Sequence, residues 1–166
     1  MKRLQAAWVR WLGPTLLAGG FFLLPRGAAA AEITAFASGA NPGPFWARGF
    51  GGSLAITLFD VGGVEVEGAR QGGDVPDSSM LSFSGRAFLA PPTGRLIPYG
   101  GLAAGVYRQK LGSDDDWGTV KGIFVGVKFK VGLSFQVRGE YEWISLPDKA
   151  LLPMEGRYSL GATLRF

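Results

Sequence analysis

The sequence predicts an all-β fold, an eight-stranded antiparallel up-and-down transmembrane β-barrel preceded by a cleavable signal peptide. Three observations predict this fold. Apolar and polar residues alternate with a period of two in eight successive segments, and no sustained helical period appears among them. Short turns and longer loops alternate between these segments. The last segment, RYSLGATLRF at residues 157–166, runs as an alternating strand up to a final aromatic residue.

The N-terminal segment has the pattern of a secretory signal. A basic start precedes an apolar run, residues 11–24, and a stretch of small residues follows it. An A-x-A pattern predicts cleavage after Ala30 or Ala31. The alternative of a membrane anchor is disfavoured because the apolar run is shorter than the roughly 20 residues that span a bilayer. We therefore expect residues 1–31 to be a signal peptide and residues 32–166 to form one outer-membrane β-barrel domain.

The basic charge of the chain belongs to this leader. The formal net charge is +4, but Lys2, Arg3, Arg10 and Arg26 all precede the first acidic residue. Without them, 13 basic and 13 acidic residues remain. A balanced mature chain gives no general electrostatic reason to bind nucleic acid.

Two missing residue types limit the possible chemistry. The chain has no cysteine, so no disulfide is expected in an exported protein. It also has no histidine, which is the usual general base and the commonest transition-metal ligand. We expect no catalytic residues, no metal and no cofactor.

Eight segments are predicted to be strands. In chain order they are residues 32–40, 48–59, 63–71, 80–90, 95–110, 119–131, 133–145 and 155–166. The short connections are DVGG, PPTG and Gly132, and the longer ones are NPGPFWA, GGDVPDSS, LGSDDDWG and LPDKALLPM. Regular sorting of this kind is typical of a barrel with tight turns at one rim and open loops at the other.

The apolar face of these strands is predicted to point outwards, towards lipid. In the second, sixth and seventh strands the apolar positions are Phe50, Leu54, Ile56, Leu58, Ile123, Val125, Val127, Phe129, Val131, Phe135, Val137, Tyr141 and Trp143. A soluble barrel would turn these side chains inwards and its charges into water. The membrane placement is favoured because most segments match the roughly 9–11 residues that cross hydrocarbon as a tilted strand. It also places aromatic residues in girdles at the strand ends, namely Tyr99, Tyr107, Trp143, Tyr158 and Phe166.

The outward face of the fifth segment is ambiguous, because Gly and Ala dominate both of its faces.

The opposite face would carry charges of both signs into the lumen. The predicted lumenal charge network is Glu65, Glu67, Arg86, Lys128, Lys130, Arg138, Glu140, Glu142, Arg157 and Arg165. An eight-stranded barrel is just wide enough for side chains to fill it, so these charges are expected to pair. Neighbouring strands would bring Glu65 and Glu67 to Arg86, and the two lysines to Glu140 and Glu142. The network is interpreted as an ionic plug, with a gated ion passage as the alternative.

Two acidic groups were weighed as functional sites. Glu140 and Glu142 could be the paired carboxylates of a hydrolase, but a salt-bridge ladder fits the neighbouring cations better. The run Asp114–Asp116 could bind a divalent cation, but it lacks the spacing of a calcium loop, so a solvated loop tip is expected. Neither group predicts an enzyme.

Three stretches carry a resemblance to a known family: GVEVEG at 63–68, IPYGGLAAGVY at 97–107 and the terminal strand. The chain resembles the small eight-stranded outer-membrane β-barrels of Gram-negative bacteria, the OmpA/OmpX-like group, over residues 32–166. In such proteins the last strand bears an assembly signal of polar, Gly, hydrophobic and aromatic residues, here Ser159, Gly161, Leu164 and Phe166. The resemblance implies that the barrel-assembly machinery recognises this strand by β-augmentation. A strand that simply ends at the membrane interface would have the same pattern.

The resemblance also implies a location and a role. We expect a monomer in the bacterial outer membrane, in contact with lipid and lipopolysaccharide, with a structural, membrane-stabilising or surface-interaction role. The family's enzymes use a histidine, which this chain lacks. With Phe166 last, no peptidoglycan-binding domain is expected. The alternatives are a narrow porin-like pore and a soluble periplasmic barrel that binds lipid.

Overall fold

A computed structural model describes residues 29–40, 47–73, 77–147, 150–151 and 154–166. Most of the predicted signal peptide lies outside these residues, and its last three alanines form the start of the first strand. Cleavage after Ala30 or Ala31 therefore stays a prediction. Within the described ranges, no helix is long and apolar enough to span a membrane.

The described residues form eight antiparallel strands in a closed barrel, as the sequence predicts. Each strand pairs with the next, and the last strand pairs with the first from Glu32↔Arg165 to Ala40↔Arg157. The strands are β1 (Ala29–Ala40), β2 (Ala47–Leu58), β3 (Gly62–Gly73), β4 (Ser78–Leu89), β5 (Leu96–Leu111), β6 (Asp114–Lys130), β7 (Phe135–Ser145) and β8 (Gly156–Arg165). Closure matters because an open edge would leave unpaired backbone groups in lipid.

The sixth strand is longer than the sequence predicted, with 17 residues, whereas the fifth has its predicted length and is displaced by one residue. β6 begins at Asp114, so the expected loop LGSDDDWG is instead part of a hairpin closed at Gly112 and Ser113. Gly112 has a φ of 60°, which a tight turn needs and glycine adopts readily. The acidic run looked like a loop because aspartate disfavours strands. Tyr107 and Arg108 on β5 hydrogen-bond to these aspartates and offset their low strand propensity.

The strand faces are oriented as in a membrane barrel. Large apolar side chains point outwards and remain exposed, for example Leu102 at 63 %, Phe83 at 59 % and Ile123 at 57 %. Lys128 and Arg138 alternate with apolar residues along their strands, and they are only 3 % and 4 % exposed. The alternative of a soluble barrel with an apolar interior and outward charges is therefore wrong. We call the outward apolar surface the apolar belt; on β6 it comprises Ile123, Val125, Val127 and Phe129.

Two predicted girdle aromatics point inwards instead. Trp143, Tyr158 and Phe166 are exposed as expected, but Tyr99 and Tyr107 are only 5 % and 1 % exposed. The cause lies in their cross-strand partners. Tyr99 pairs with Gly126 and Tyr107 with Gly118 on β6, and each ring covers its glycine. A Cβ at either glycine would lie 2.6 Å from the tyrosine. These pairs resemble the aromatic cover that supports glycine in designed barrels.

Gly101 on β5 gives a direct test of the interior packing. A Cβ there would lie 2.0 Å from the Ala87 carbonyl oxygen and 2.8 Å from the Phe88 Cα atom. We expect Gly101→Ala to lower the free energy of unfolding by about 1–3 kcal/mol, because backbone must shift. The measurement is urea unfolding of the refolded barrel in detergent micelles. Gly139→Ala is the control, since no atom lies within 4 Å of its Cβ position. Equal stability of the two variants would contradict this packing.

Candidate functional site

The interior contains a set of charged side chains, which we call the interior network. It consists of an ion-paired group around Arg86 and a separate pair, Lys128 and Glu32, whose ammonium lies 5.4 Å from the centroid of the Tyr99 ring. Its carboxylates and cations are Glu32, Glu65, Glu67, Glu140, Glu142, Arg86, Lys128, Arg138 and Arg157. Alternation places all of them on the inner face of their strands. With Thr57 on β2 and Tyr99 on β5 as hydrogen-bond partners, every strand contributes to it. The network therefore spans the full cross-section of the barrel.

Arg86 on β4 lies at the centre of the network. Its Nη1 atom lies 2.6 Å from Glu67 Oε2 and 3.2 Å from Glu65 Oε1, and its Nη2 atom lies 2.5 Å from Glu140 Oε1. The guanidinium carbon also lies 3.8 Å from the centroid of the Phe124 ring. The side chain is 0 % exposed. One cation thus joins three buried carboxylates on two strands and stacks on an aromatic face.

Arg138 on β7 forms a second junction beside the first. Its Nη1 atom lies 3.0 Å from Glu65 Oε2, and its Nη2 atom lies 2.6 Å from Glu140 Oε2. Its Nε–H donates to the Tyr99 hydroxyl at 2.6 Å, and that hydroxyl donates to Glu140 Oε2 at 2.8 Å. Glu65 and Glu140 are therefore each shared between two arginines, which fixes both carboxylates in place.

The remaining charges extend the network in both directions. Arg157 on β8 pairs with Glu67 and lies 2.5 Å from Glu142 Oε2. We call the rim that carries the β2–β3, β4–β5 and β6–β7 connections the tight-turn rim, and the opposite rim the long-connection rim. Towards the tight-turn rim, Lys128 Nζ lies 2.5 Å from Glu32 Oε2, and the Thr57 hydroxyl donates to Glu32 Oε1 at 3.2 Å. Each carboxylate of the network thus has a cation within salt-bridge distance, as burial of charge requires.

The structure joins some of the predicted residues and separates others. Arg86 contacts Glu65 and Glu67 as expected, whereas Lys128 contacts Glu32 and neither Glu140 nor Glu142. Two predicted members lie at the tight-turn rim, outside the network. Arg165 pairs there with Asp60, and Lys130 forms no ion pair with any described residue.

Sequence reasoning missed two network residues. The predicted charge network omits Glu32, although this residue begins the first predicted strand and lies on the same face as Thr34 and Phe36. Tyr99 was assigned to the outer girdle because β5 is rich in small residues on both faces. The observed pairing of inward Arg86 with Ala103 places Tyr99 on the inner face of β5, because residues 99 and 103 share a face of the strand.

The network does not have the arrangement of a catalytic site. Each of its carboxylates lies within salt-bridge distance of a cation, so its charge is compensated inside the barrel. Glu140 and Glu142, weighed as paired carboxylates, are held by different arginines. In the described part of the chain, no group of three or more acidic residues could hold a metal ion.

Two members of the acidic run at the start of β6, Asp115 and Asp116, are hydrogen-bonded to different side chains of β5. Asp115 accepts hydrogen bonds from Arg108 Nε at 3.0 Å, and Asp116 accepts one from the Tyr107 hydroxyl at 2.9 Å. The Arg108 hydrogen bonds lower the pKa of the exposed Asp115 carboxyl below its usual value. These contacts hold the long hairpin, which explains why the run is a strand.

The interior closes above and below the network. Towards the long-connection rim, an apolar plug is formed by Ala40, Ala47, Met80, Tyr107, Val120 and Met154. Towards the other rim, a cluster of apolar side chains on one side of the interior includes Phe88 and Ile97. Interior cavities of about 10 Å³ and 50 Å³ flank the network. The smaller has room for about one water molecule and the larger for a few.

The residues of the predicted assembly signal lie on both faces of β8. Leu164 and Phe166 point outwards at 49 % and 73 % exposed. Ser159 and Gly161 point inwards, and a Cβ at Gly161 would lie 2.7 Å from the Ala35 carbonyl oxygen on β1. Close packing between β8 and β1 therefore requires glycine at position 161, independently of any role in recognition by the assembly machinery. The Phe166 N–H donates to the Ala31 carbonyl at 2.9 Å.

Several solved structures share this fold at low sequence identity. No protein-family model matches the chain, and no curated protein matches it by sequence. Among solved structures, it is similar to the N-terminal β-barrel domain of Pseudomonas aeruginosa OprF, with 22 % identity and a TM-score of 0.62 over 82 % of this chain and 97 % of that one. Neisserial surface protein A is 17 % identical, with a TM-score of 0.59 over 84 % and 96 %. Ail of Yersinia pestis is 20 % identical, with a TM-score of 0.59 over 83 % and 97 %.

These similarities span nearly the whole length of each solved barrel. They agree with the closed antiparallel topology of the eight strands. The chain has the fold of the small eight-stranded outer-membrane β-barrels.

Proposed function

We propose that the chain is an integral outer-membrane barrel with a structural, membrane-stabilising or surface-interaction role and no catalytic activity. It would be exported through the signal peptide at residues 1–31 and inserted by the barrel-assembly machinery through β8. It would act as a monomer in contact with outer-membrane lipid and lipopolysaccharide. The observation that carries this proposal is the combination of an outward apolar belt with an interior filled by paired charges.

Each half of that combination supports a different part of the proposal. An exposed surface of large apolar side chains around a closed barrel is stable in hydrocarbon and would aggregate in water. An interior closed by ion pairs and apolar plugs leaves no room for a substrate. What remains for partners is the outer surface and the connections at the rims.

Membrane fractionation with gel electrophoresis tests the proposal. A closed outer-membrane barrel is expected to sediment with the outer membrane, to need detergent for extraction and to migrate differently before and after boiling. A chain that stays in the aqueous phase without detergent, or whose migration is unchanged by boiling, would overturn the proposal.

A narrow ion pore is the second candidate function. The two small polar cavities on either side of the interior network favour it, because exchange of ion-pair partners could connect them. We expect the native barrel to show no steady conductance in a planar bilayer, since the network and plugs close the lumen. Steady openings that disappear in Arg138→Met or Glu140→Gln would favour the pore. The control is a bilayer with detergent buffer alone.

A further inference from the structure

A groove crosses the apolar belt on the outer surface of β4 to β7. Its volume is about 780 Å³, within the range of ligand sites in proteins. The floor is formed where Gly85 pairs with Ala104, two small residues on an otherwise bulky surface. Leu102, Ile123 and Trp143 form one wall in successive paired positions. The groove is therefore an open depression beside one row of large side chains.

A lysine lies in this groove. Lys121 pairs with Ala104 on one side and Ser145 on the other, and it is the first outward cation above the apolar belt on β6. Within the described part of the chain, it has no carboxylate partner. A long cationic side chain at this level can keep its stem on apolar surface and its ammonium group among headgroups.

More cations face outwards beyond the groove, towards the long-connection rim. They are Arg48 on β2, Arg70 on β3, and Arg108 and Lys110 on β5. Arg70 and Arg108 both pair with Leu81, which places them in one row across three strands. Among the described strand residues that face outwards at this rim, Asp115 is the only acidic one, and it forms an ion pair with Arg108. The surface above the groove therefore has an excess of positive charge.

We propose that this groove is a binding site for lipopolysaccharide of the outer leaflet. One acyl chain would lie over Gly85 and Ala104, and phosphate groups would contact Lys121 and the row at Arg108. This inference rests on the proposed function, since it requires the barrel to be inserted with its long-connection rim outside. Arg108 pairs with Trp117, which lies four residues before Lys121 on β6. The two cations are therefore about 13 Å apart along the strand direction, and a lipid with more than one phosphate can contact both.

Charge distinguishes this groove from a second one on the barrel. That groove, of about 550 Å³, is lined by Ala35, Ala37, Phe50, Val137, Leu160 and Ala162 among others, and contains no charged residue. Any acyl chain could occupy an uncharged groove. A groove that combines a small-residue floor with an unpaired lysine, below a rim with excess positive charge, selects an anionic lipid. A sulfated polysaccharide would match the cations but would leave the apolar floor unused.

Native mass spectrometry of the barrel extracted from vesicles tests the proposal. The vesicles contain phosphatidylcholine with either lipopolysaccharide or enzymatically dephosphorylated lipopolysaccharide. We expect retention of one phosphorylated molecule per native barrel. Ala104→Phe, which fills the groove, and Lys121→Gln, which removes the charge, are each expected to weaken binding about tenfold. Ala162→Phe, the matched change in the uncharged groove, is expected to leave binding unchanged.

Each other outcome overturns the proposal in a recognisable way. Equal retention of the dephosphorylated lipid would show that the charges have no role. Heparin displacing the lipid from native barrel and from Ala104→Phe alike would indicate a glycan site at the rim. A native dimer that Ala104→Phe converts to a monomer would show that a second copy fills the groove. The gel shift on boiling, measured on the same samples, separates these results from a failure of the barrel to insert, which would overturn the proposed function as well.

Discussion

Arg86→Met is expected to lower the free energy of unfolding of the barrel by about 3–5 kcal/mol. Arg86 is fully buried and contacts three carboxylates, on Glu65, Glu67 and Glu140. Its removal leaves the interior network with a larger excess of negative charge in a region of low dielectric. It also removes the guanidinium that stacks on Phe124. Equilibrium unfolding in guanidinium chloride from lipid vesicles, followed by tryptophan fluorescence, measures the change.

Arg108→Met is the matched control for this prediction. Arg108 also forms a short ion pair, with Asp115, but both side chains are more than a third exposed. An exposed pair of this kind contributes about 0–1 kcal/mol. If the two methionine variants lost the same stability, the interior network would not stabilise the barrel. If Arg86→Met were as stable as the native chain, the charges would be solvated rather than paired.

Val125→Arg is expected to lower the free energy of unfolding by about 2–4 kcal/mol in a bilayer. Val125 faces outwards near the middle of the apolar belt on β6 and is 47 % exposed. An arginine at the midplane must either lie in hydrocarbon or draw water and headgroups inwards, and both are costly. The same unfolding measurement applies, because the native and unfolded chains differ in whether this side chain is in lipid.

Trp117→Arg provides the depth control for this prediction. Trp117 also faces outwards on β6, at 65 % exposed, but it lies beyond Lys121 towards the long-connection rim. An outward arginine near the interface costs only about 0–1 kcal/mol. A cost at Trp117 equal to that at Val125 would contradict the position of the belt. No cost at Val125 would show that β6 does not face lipid.

Much of this architecture follows from side-chain alternation alone. The inward position of Lys128 and Arg138 could be predicted, because a period of two assigns every residue of a strand once the apolar face is known. Closure followed from the number of strands and the need to pair every backbone group in lipid. The contacts of Arg86 with Glu65 and Glu67 followed from the pairing of adjacent strands.

Contacts across the barrel could not be predicted in this way. Lys128 contacts Glu32, and Arg157 contacts Glu67, although their strands are not neighbours. Such contacts depend on the tilt and stagger of strands in the closed barrel, which alternation does not specify. β5 was ambiguous for a different reason. Its small residues gave no apolar face, so the inward position of Tyr99 emerged only from its pairing with Gly126.

Site-directed spin labelling along β6 tests the central claim most directly. The chain has no cysteine, so single cysteines at positions 122 to 129 can each carry a nitroxide without background. In lipid vesicles, labels at Ile123, Val125 and Val127 are expected to be accessible to oxygen, which partitions into hydrocarbon. Labels at the alternate positions, such as Phe124 and Lys128, are expected to be shielded. The opposite phase, or accessibility without a period of two, would contradict a barrel with its apolar side chains in lipid and its charges inside.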